Sequence, residues 1–168
     1  MGVRSEIERA VIGALLLDSA LAGHRLIAGL SRVSFESAEH GRLFEAIGAI
    51  VARGDAVSPL SVCLEIGGGE DMQEFWLEEM RACVEACPTA VDGPWLIATL
   101  REAAAANGLR AVCREAAAMA ENPKRIWDAG NLLWREIQHL KGLKKQLSAF
   151  PSPHPIRAET SNGGSPRE

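Results

Sequence analysis

The sequence contains no tyrosine, and aromatic residues make up only 5% of its 168 residues. Long apolar runs are also missing: the most apolar segment, residues 10–17, is flanked by charged residues on both sides. A membrane-spanning helix needs about 20 consecutive apolar residues. This segment therefore cannot span a membrane.

The start of the chain lacks the features of a secretion signal, which has a basic first segment and a small-residue cleavage site. Ser5 and Glu8 instead stand ahead of the apolar run in S-x-x-E spacing, which is typical of a capping box at the start of a helix. We therefore predict that the chain begins with a core helix, Ser5–Asp18, of a folded domain.

Cysteine is infrequent and never forms a CxxC pair. Cys83 and Cys87 lie four residues apart and could offer two thiolates to a metal, but no histidine or further cysteine lies at ligand spacing in the sequence. We therefore predict no metal site and interpret the cysteines as small buried hydrophobic residues. Reduced thiols and the missing signal sequence indicate a cytoplasmic protein.

Motifs for catalysis are also missing. A Walker A loop needs a lysine and a Ser/Thr after its last glycine, whereas Glu70 and Asp71 follow the glycines at 67–69. No Ser-His-Asp or Cys-His arrangement can be assigned. His40 is interpreted as a structural hydrogen-bonding group at a helix start. The sequence thus predicts no catalytic residue, no nucleotide-binding residue and no cofactor.

The net charge is only −4, but it is unevenly distributed. Residues 65–85 contain seven acids and one base, whereas residues 122–147 contain six bases and two acids. Such an asymmetry suits self-association or a charged partner, although a solvated helix face is the simpler explanation.

Apolar residues recur every three or four positions through most of the chain, which predicts an all-α fold. No strand and no internal repeat is predicted. The helices after the first are expected in this order: a short helix carrying Leu21, Leu26, Ile27 and Leu30; one from Ser37 to Arg53; a short one opened by Ser58 and Pro59; an acidic one over Asp71–Cys87 with Phe75, Trp76, Met80, Val84 and Cys87 inward; and a long alanine-rich one from Pro94 to Met119.

The last helix, which ends near Leu147, follows a cap-then-proline signature at Asn122 and Pro123. Two long helices joined by so short a turn predict an antiparallel hairpin. We expect a compact helical head over about residues 5–90 and a hairpin over about 94–147. The Pro/Ser/Gly-rich tail over 148–168 is expected to be flexible.

Trp127 and Trp134 are seven residues apart, so they lie nearly on one face of the last helix, beside an aliphatic seam. They either pack in the core or anchor an interface. The interface is the alternative because a projecting hairpin has more apolar surface than it can cover alone. The candidate interface for a partner or a second copy consists of Ile126, Trp127, Leu133, Trp134, Ile137 and Leu140.

A candidate basic face on the same helix consists of Lys141, Lys144 and Lys145. These side chains could contact phosphates. The few aromatic residues among the bases and the acidic chain as a whole argue against direct DNA binding.

Several sequence segments occur in a specific order and spacing. They are ERAVIGALLLD (8–18), SFESAEHGRLFEAI (34–47), ARGDAV (52–57), PTAVD (88–92) and LRE (100–102). Phe35, His40 and Phe44 give the second segment an F-x4-H-x3-F pattern. Together, over residues 5 to about 140, the segments resemble the N-terminal domain of the bacterial replicative DNA helicase, the DnaB family. Each motif is weak alone because it consists of caps and core stripes; the specificity comes from their shared order.

The resemblance implies an all-α head that carries a helical hairpin, which the periodicity predicts independently. It also implies a domain without chemistry of its own: in the family, this domain packs into a collar on the hexameric helicase and docks primase and loading factors. The family's RecA-like motor has no counterpart here, since no Gly-Lys-Ser/Thr occurs in the sequence. We therefore expect neither ATP hydrolysis nor unwinding from these residues.

Two departures from the family pattern concern its partner contacts. Ser58 and Pro59 replace the usual Asp-Leu after the Arg-Gly turn, and Phe75 with Trp76 stand where a Gly-Gly pair is common. The family's partner preferences therefore cannot be carried over directly. The tail after Phe150 does not resemble the family's linker helix, and we expect it to be a genuine terminus.

The leading hypothesis is a non-catalytic interaction module of bacterial or mobile-element DNA replication. It would form a homodimer or higher oligomer and bind a replicative helicase, a primase or a helicase loader, without contact to a membrane. One alternative is a decoy that caps a host helicase and inhibits it. Another is a replication accessory protein that binds DNA through the basic face.

Overall fold

The computed structural model describes residues 3–23, 27–87 and 89–148. Within these ranges the fold is all-α, as predicted, and no β-strand is present. The helices are α1 (Val3–Leu17), α2 (Ala38–Ala52), α3 (Pro59–Ile66), α4 (Glu70–Ala86), α5 (Gly93–Ala120) and α6 (Ile126–Leu147). None of the helices described here is long and apolar enough to cross a membrane.

Helix α1 lies at the centre of the head and contacts α2, α4 and α5. The predicted core role of this helix is confirmed, since Val11, Ala14 and Leu15 are buried, while Ile7 is half-buried. Helices α1 and α4 approach each other closely at Gly13, where a Cβ atom would collide with the backbone carbonyl of Cys83. Glycine at this position therefore sets the separation of the two helices.

The predicted starts of α2 and α3 and the predicted end of α2 are confirmed. The Ser37 hydroxyl accepts a hydrogen bond from the His40 N–H at the start of α2, and the Ser58 hydroxyl accepts one from the Ser61 N–H at the start of α3. Gly54 and Gly67 follow these helices with φ of +79° and +74°, a conformation that glycine adopts without steric cost.

Three local predictions differ from the structure. Ser5 lies inside α1 and not at its cap, because the Glu8 carboxylate accepts hydrogen bonds from the distant Glu36 and Ser37 N–H groups. The predicted second helix is a short 3-10 segment, Ser19–Gly23, and Leu26 lies outside the described residues. Phe75 is not inward but 45% exposed, because Trp76, Met80 and Cys83 form the buried stripe of α4.

Helices α5 and α6 form the predicted hairpin. Their antiparallel arrangement is seen in two contacts: Arg101 bonds Gln146 near the head, and Gly108 lies opposite Glu136 further out. Leu96, Ile97 and Leu100 anchor the first turns of α5 in the core of the head. The link between the helices includes the predicted cap, since the Asn122 side chain accepts a hydrogen bond from the Lys124 N–H. From position 149 onward, the predicted tail lies outside the described residues.

Candidate protein-interaction surface

The inner face of the hairpin has few fully buried side chains. Outside the part of α5 that packs on the head, the buried residues of the two helices are Ala116, Ala129 and Leu143. Alanines let two helices approach closely but bury little apolar area. Other apolar side chains between the helices, including Leu109, Val112, Leu132 and Leu140, are only half-buried, and the largest apolar side chains of the hairpin lie outside the seam.

The outer face of α6 carries those larger side chains. Trp127 is 82% exposed and Trp134 is 60% exposed, and Ile126 and Ile137 are exposed beside them. Leu133 and Leu140, the other members of the candidate interface, are half-buried. The structure thus brings the six residues together along one side of α6, four of them on the surface. That a partner covers this surface stays a prediction.

The candidate basic face continues this surface toward the head. Lys141, Lys144 and Lys145 are all exposed in the last two turns of α6, where positive charge is favourable to the helix dipole. The Lys141 ammonium lies 5.7 Å from the centroid of the Trp134 ring, within the range of a cation–π contact. The aromatic and basic parts of α6 therefore form one continuous surface.

The outer face of α4 has the opposite charge. Its exposed acids are Glu70, Asp71, Glu74, Glu78 and Glu85. Exposed apolar side chains lie among them: Met72, Phe75 and Leu77. The sequence predicted the acidic character of this helix but missed the exposed apolar residues, because it assigned Phe75 to the core. Helices α4 and α6 consequently present surfaces of complementary charge that both contain apolar side chains.

A buried polar network supports the head beneath α4. His40 Nδ1 lies 3.1 Å from Glu8 Oε2, and His40 Nε2 lies 3.1 Å from Glu79 Oε1. Each ring nitrogen of His40 thus lies within hydrogen-bonding distance of a carboxylate. The structural role predicted for His40 is confirmed, although neither carboxylate partner was foreseen.

The Glu8 carboxylate is the most heavily bonded group of this network. Burial raises its pKa, but the hydrogen bonds from the Glu36 N–H, His40, the Ser37 N–H and Arg4 together lower its pKa below the ordinary value. Hydrogen bonds to the charged form stabilise that form. Glu8 is therefore a buried anion that ties α1 to the start of α2.

The same region contains a set of potential metal ligands that the sequence spacing did not reveal. Ligand atoms of His40, Glu79 and Cys83 lie within 4.8 Å of one another. Burial, with a smaller contribution from Glu79, raises the pKa of Cys83 to about 12, so its thiol keeps its proton at neutral pH. His40 Nε2 is already bonded to Glu79, which also pairs with Arg9 at 3.7 Å. We interpret the set as a hydrogen-bonded part of the core.

The sequence predicted no metal at Cys83 and Cys87, although the two residues lie four positions apart. All four cysteines are free. The Cys87 thiol donates a hydrogen bond to the carbonyl of Thr89.

Comparison with known families assigns the head. The family model described as the DnaB-like helicase N terminal domain matches residues 3–94 of the 168-residue chain. The match ends where α5 begins, so the likeness of the hairpin to that family stays a prediction. Among curated proteins, none matches the chain.

Proposed function

Since the chain belongs to the family of DnaB-like helicase N-terminal domains, we propose that it is a non-catalytic interaction and self-association module of bacterial or mobile-element DNA replication. The observation that carries this proposal is the exposure of Trp127 and Trp134 on one side of α6. Tryptophan is enriched among the residues that dominate binding energy at protein interfaces.

The energetic argument rests on apolar area. An aromatic side chain buries about 150–250 Å² when it is covered, and each Å² is worth roughly 25 cal/mol. Two tryptophans with the neighbouring Ile126 and Ile137 thus offer an anchor of several kcal/mol, although ordering of the partner offsets part of it. We propose that this surface joins two copies through the hairpin, as a homodimer or as part of a higher oligomer.

Charge complementarity adds a second contribution to assembly. The basic end of α6, at Lys141 to Lys145, and the acidic outer face of α4 attract one another between copies or across a heterologous interface. Such attraction mainly accelerates association and selects partners, and salt weakens it. The proposed partners outside the chain are a replicative helicase, a primase and a helicase loader, acting in the cytoplasm.

Co-purification tests this function. The full chain, carrying an affinity tag, is mixed separately with the replicative helicase, primase and loader of the same host. We expect a stable complex with at least one of them, and loss of that complex when Trp127 and Trp134 are both replaced by alanine. If none of the three is retained, the proposed function is wrong.

The decoy alternative places the same surface on a host helicase collar and gives the opposite effect. In a helicase-loading assay, an accessory module increases loading as it is added, whereas a decoy decreases it. The sign of the change separates the two functions because both require binding.

The DNA-binding alternative depends on Lys141, Lys144 and Lys145. It requires an affinity for single- or double-stranded DNA that falls steeply with salt. Replacement of the three lysines by glutamine would then abolish DNA binding, whereas in the leading proposal it would weaken the protein complexes without abolishing them, because the tryptophans remain.

A further inference from the structure

A groove of about 320 Å³ lies between α2 and α4 on the head. Its walls include Ala38 and Arg42 on one side and Met72, Phe75 and Trp76 on the other. Met72 is 40% exposed and Phe75 is 45% exposed, so apolar surface in the groove is open to solvent. The Phe75 ring meets the buried Trp76 ring edge-on, with the ring centroids 5.0 Å apart, which is a favourable geometry for an aromatic pair. The apolar side of the groove is therefore preformed.

The α2 side of the groove is close to neutral. Its bases Arg32 and Arg42 are matched in number by the acids Glu39 and Glu45. Arg32 pairs with Glu45, with 3.8 Å between Nη1 and Oε2, and the Arg42 guanidinium lies 6.0 Å from the centroid of the Trp76 ring. This distance is within the range of a cation–π contact. The α2 side therefore offers little net attraction to a charge of either sign.

The α4 side of the groove is strongly acidic. Asp71, Glu74 and Glu78 follow one another at steps of three and four residues, so they form an acidic row along one side of the helix, next to Phe75. All three are exposed, and none forms an ion pair within the described part of the chain. A row of uncompensated negative charge thus borders the apolar part of the groove.

We infer that the groove between α2 and α4 binds an amphipathic helix of a partner polypeptide, whose apolar side chains cover Met72 and Phe75. Lysine or arginine side chains of the same helix face the acidic row. An added strand would need the edge of a sheet, and the described residues contain no β-strand, so a helix suits this site better than an extended segment. The inference deepens the proposed function, on which it rests, by giving the chemistry of the segment that a partner presents to the head.

Other occupants suit the groove less well. The acidic row repels the phosphates of nucleic acids and of anionic lipids. A second copy would have to offer α6, which carries apolar and basic side chains, but the proposed homodimer already covers the apolar side of that helix. The charges and the apolar surface together therefore favour a segment of a different protein.

Fluorescence anisotropy of a labelled model helix tests the groove with the full chain. The probe is a peptide made of two repeats of Leu-Lys-Lys-Leu-Leu-Lys-Leu, and the same peptide with glutamate in place of each lysine is the control. We expect saturable binding of the lysine peptide, with an affinity that falls as salt is added, and no binding of the glutamate peptide. Equal binding of the two peptides, or binding of neither, overturns the inference.

Variants locate the bound helix. Phe75→Ser should weaken binding of the lysine peptide by at least tenfold, because it removes the apolar anchor. Leu64→Ser replaces an exposed leucine of α3 and should leave the affinity within about twofold. Glu74→Gln should weaken binding by about two- to fivefold, whereas Glu115→Gln, at an exposed acid of α5, should not. An affinity unchanged in Phe75→Ser would show attraction by charge alone and would refute the groove as the site.

Two further measurements separate this inference from the proposed function. The variant with alanine at Trp127 and Trp134 should bind the lysine peptide as the unmodified chain does, because α6 does not line the groove. Phe75→Ser should leave self-association unchanged in analytical ultracentrifugation; loss of the dimer would show that a second copy occupies the groove and would overturn the inference. If the unmodified chain retains a replication partner but not the peptide, the groove is refuted and the proposed function stands.

Discussion

His40 Nδ1 and Glu8 Oε2 lie 3.1 Å apart although 32 positions separate the two residues in sequence. Both side chains are buried. The contact closes the loop between α1 and α2, and the Glu8 carboxylate fixes the end of that loop through the Glu36 and Ser37 N–H groups. The head is therefore stabilised by a charged network as well as by its apolar core.

Glu8→Gln tests how much that network contributes to the free energy of unfolding. The substitution keeps the shape of the side chain but leaves His40 and Arg4 facing a neutral group, so we expect a loss of about 3 kcal/mol in the free energy of unfolding at pH 7. Urea denaturation measures it. Glu6→Gln, an exposed substitution on the same helix, is the control and should change stability by less than about 0.5 kcal/mol.

The pH dependence of the same variant gives a second test. Because the folded pKa of Glu8 is below the ordinary value of 4.5, its stabilising contribution is complete above that value. As the pH falls below it, the unfolded chain takes up a proton before the folded one, and the contribution is lost. The stability difference between the unmodified chain and Glu8→Gln should therefore shrink between pH 5 and acid pH. A difference that is constant over this range would show that the charge of Glu8 contributes nothing.

Gly13→Ala should separate α1 from α4. The added methyl group collides with the Cys83 carbonyl, which is backbone and cannot move aside, so we expect destabilisation by about 1–3 kcal/mol. Gly48→Ala is the matched control, because Gly48 lies in the interior of α2 with open space around its position. Alanine there should stabilise the chain by about 0.5–1 kcal/mol. Equal effects of the two substitutions in urea denaturation would contradict the close approach.

Cys113 should be the thiol that reacts in the native state. It is exposed, whereas Cys63, Cys83 and Cys87 are buried, and burial raises the pKa of each of the three. Since the thiolate is the nucleophile, a disulfide reagent at pH 8 should modify one thiol rapidly and the remaining three only on unfolding. Cys113→Ser should remove the rapid phase. A thiol that still reacts rapidly in that variant would mean that the head opens readily.

Removal of Trp127 and Trp134 should dissociate the proposed dimer. Both side chains are largely exposed in the single chain, so alanine at the two positions should weaken self-association by at least tenfold while changing monomer stability little. Analytical ultracentrifugation over a range of concentrations measures both species. Replacing Leu60 and Leu64, exposed leucines of α3, serves as the control and should leave the dimer intact. A monomeric unmodified chain at high concentration would refute dimerisation through the hairpin.

Sequence patterns predicted the parts of the fold that local chemistry determines. Ser37 and Ser58 act on backbone groups within a few residues, so their roles at helix starts could be inferred without a structure. The exposed position of Trp127 could be predicted only as one of two alternatives, because a helical stripe does not show which side faces the partner helix.

The residues that were missed depend on distant contacts. Glu8 was interpreted as a local cap, whereas its partners lie about 30 positions away. Phe75 and Trp76 are adjacent, so periodicity alone could not decide which of them enters the core. Nothing in the sequence around Arg101 distinguishes a buried arginine from a surface one; the long α5 helix had to be docked on the head before its burial became apparent.

The small number of buried side chains in the hairpin determines how its dynamics respond when a partner covers it. In its outer half, Ala116 and Ala129 are the buried side chains, and Val112, Met119, Leu132 and Leu133 are only half-buried, which leaves little to oppose transient fraying of the backbone hydrogen bonds. In the isolated chain, amide protons of the outer turns should therefore exchange with deuterium quickly, while those of α1 exchange slowly. When a partner covers the hairpin, amide exchange should become slower along the whole length of α5 and α6. Assembly would then also complete the folding of the hairpin.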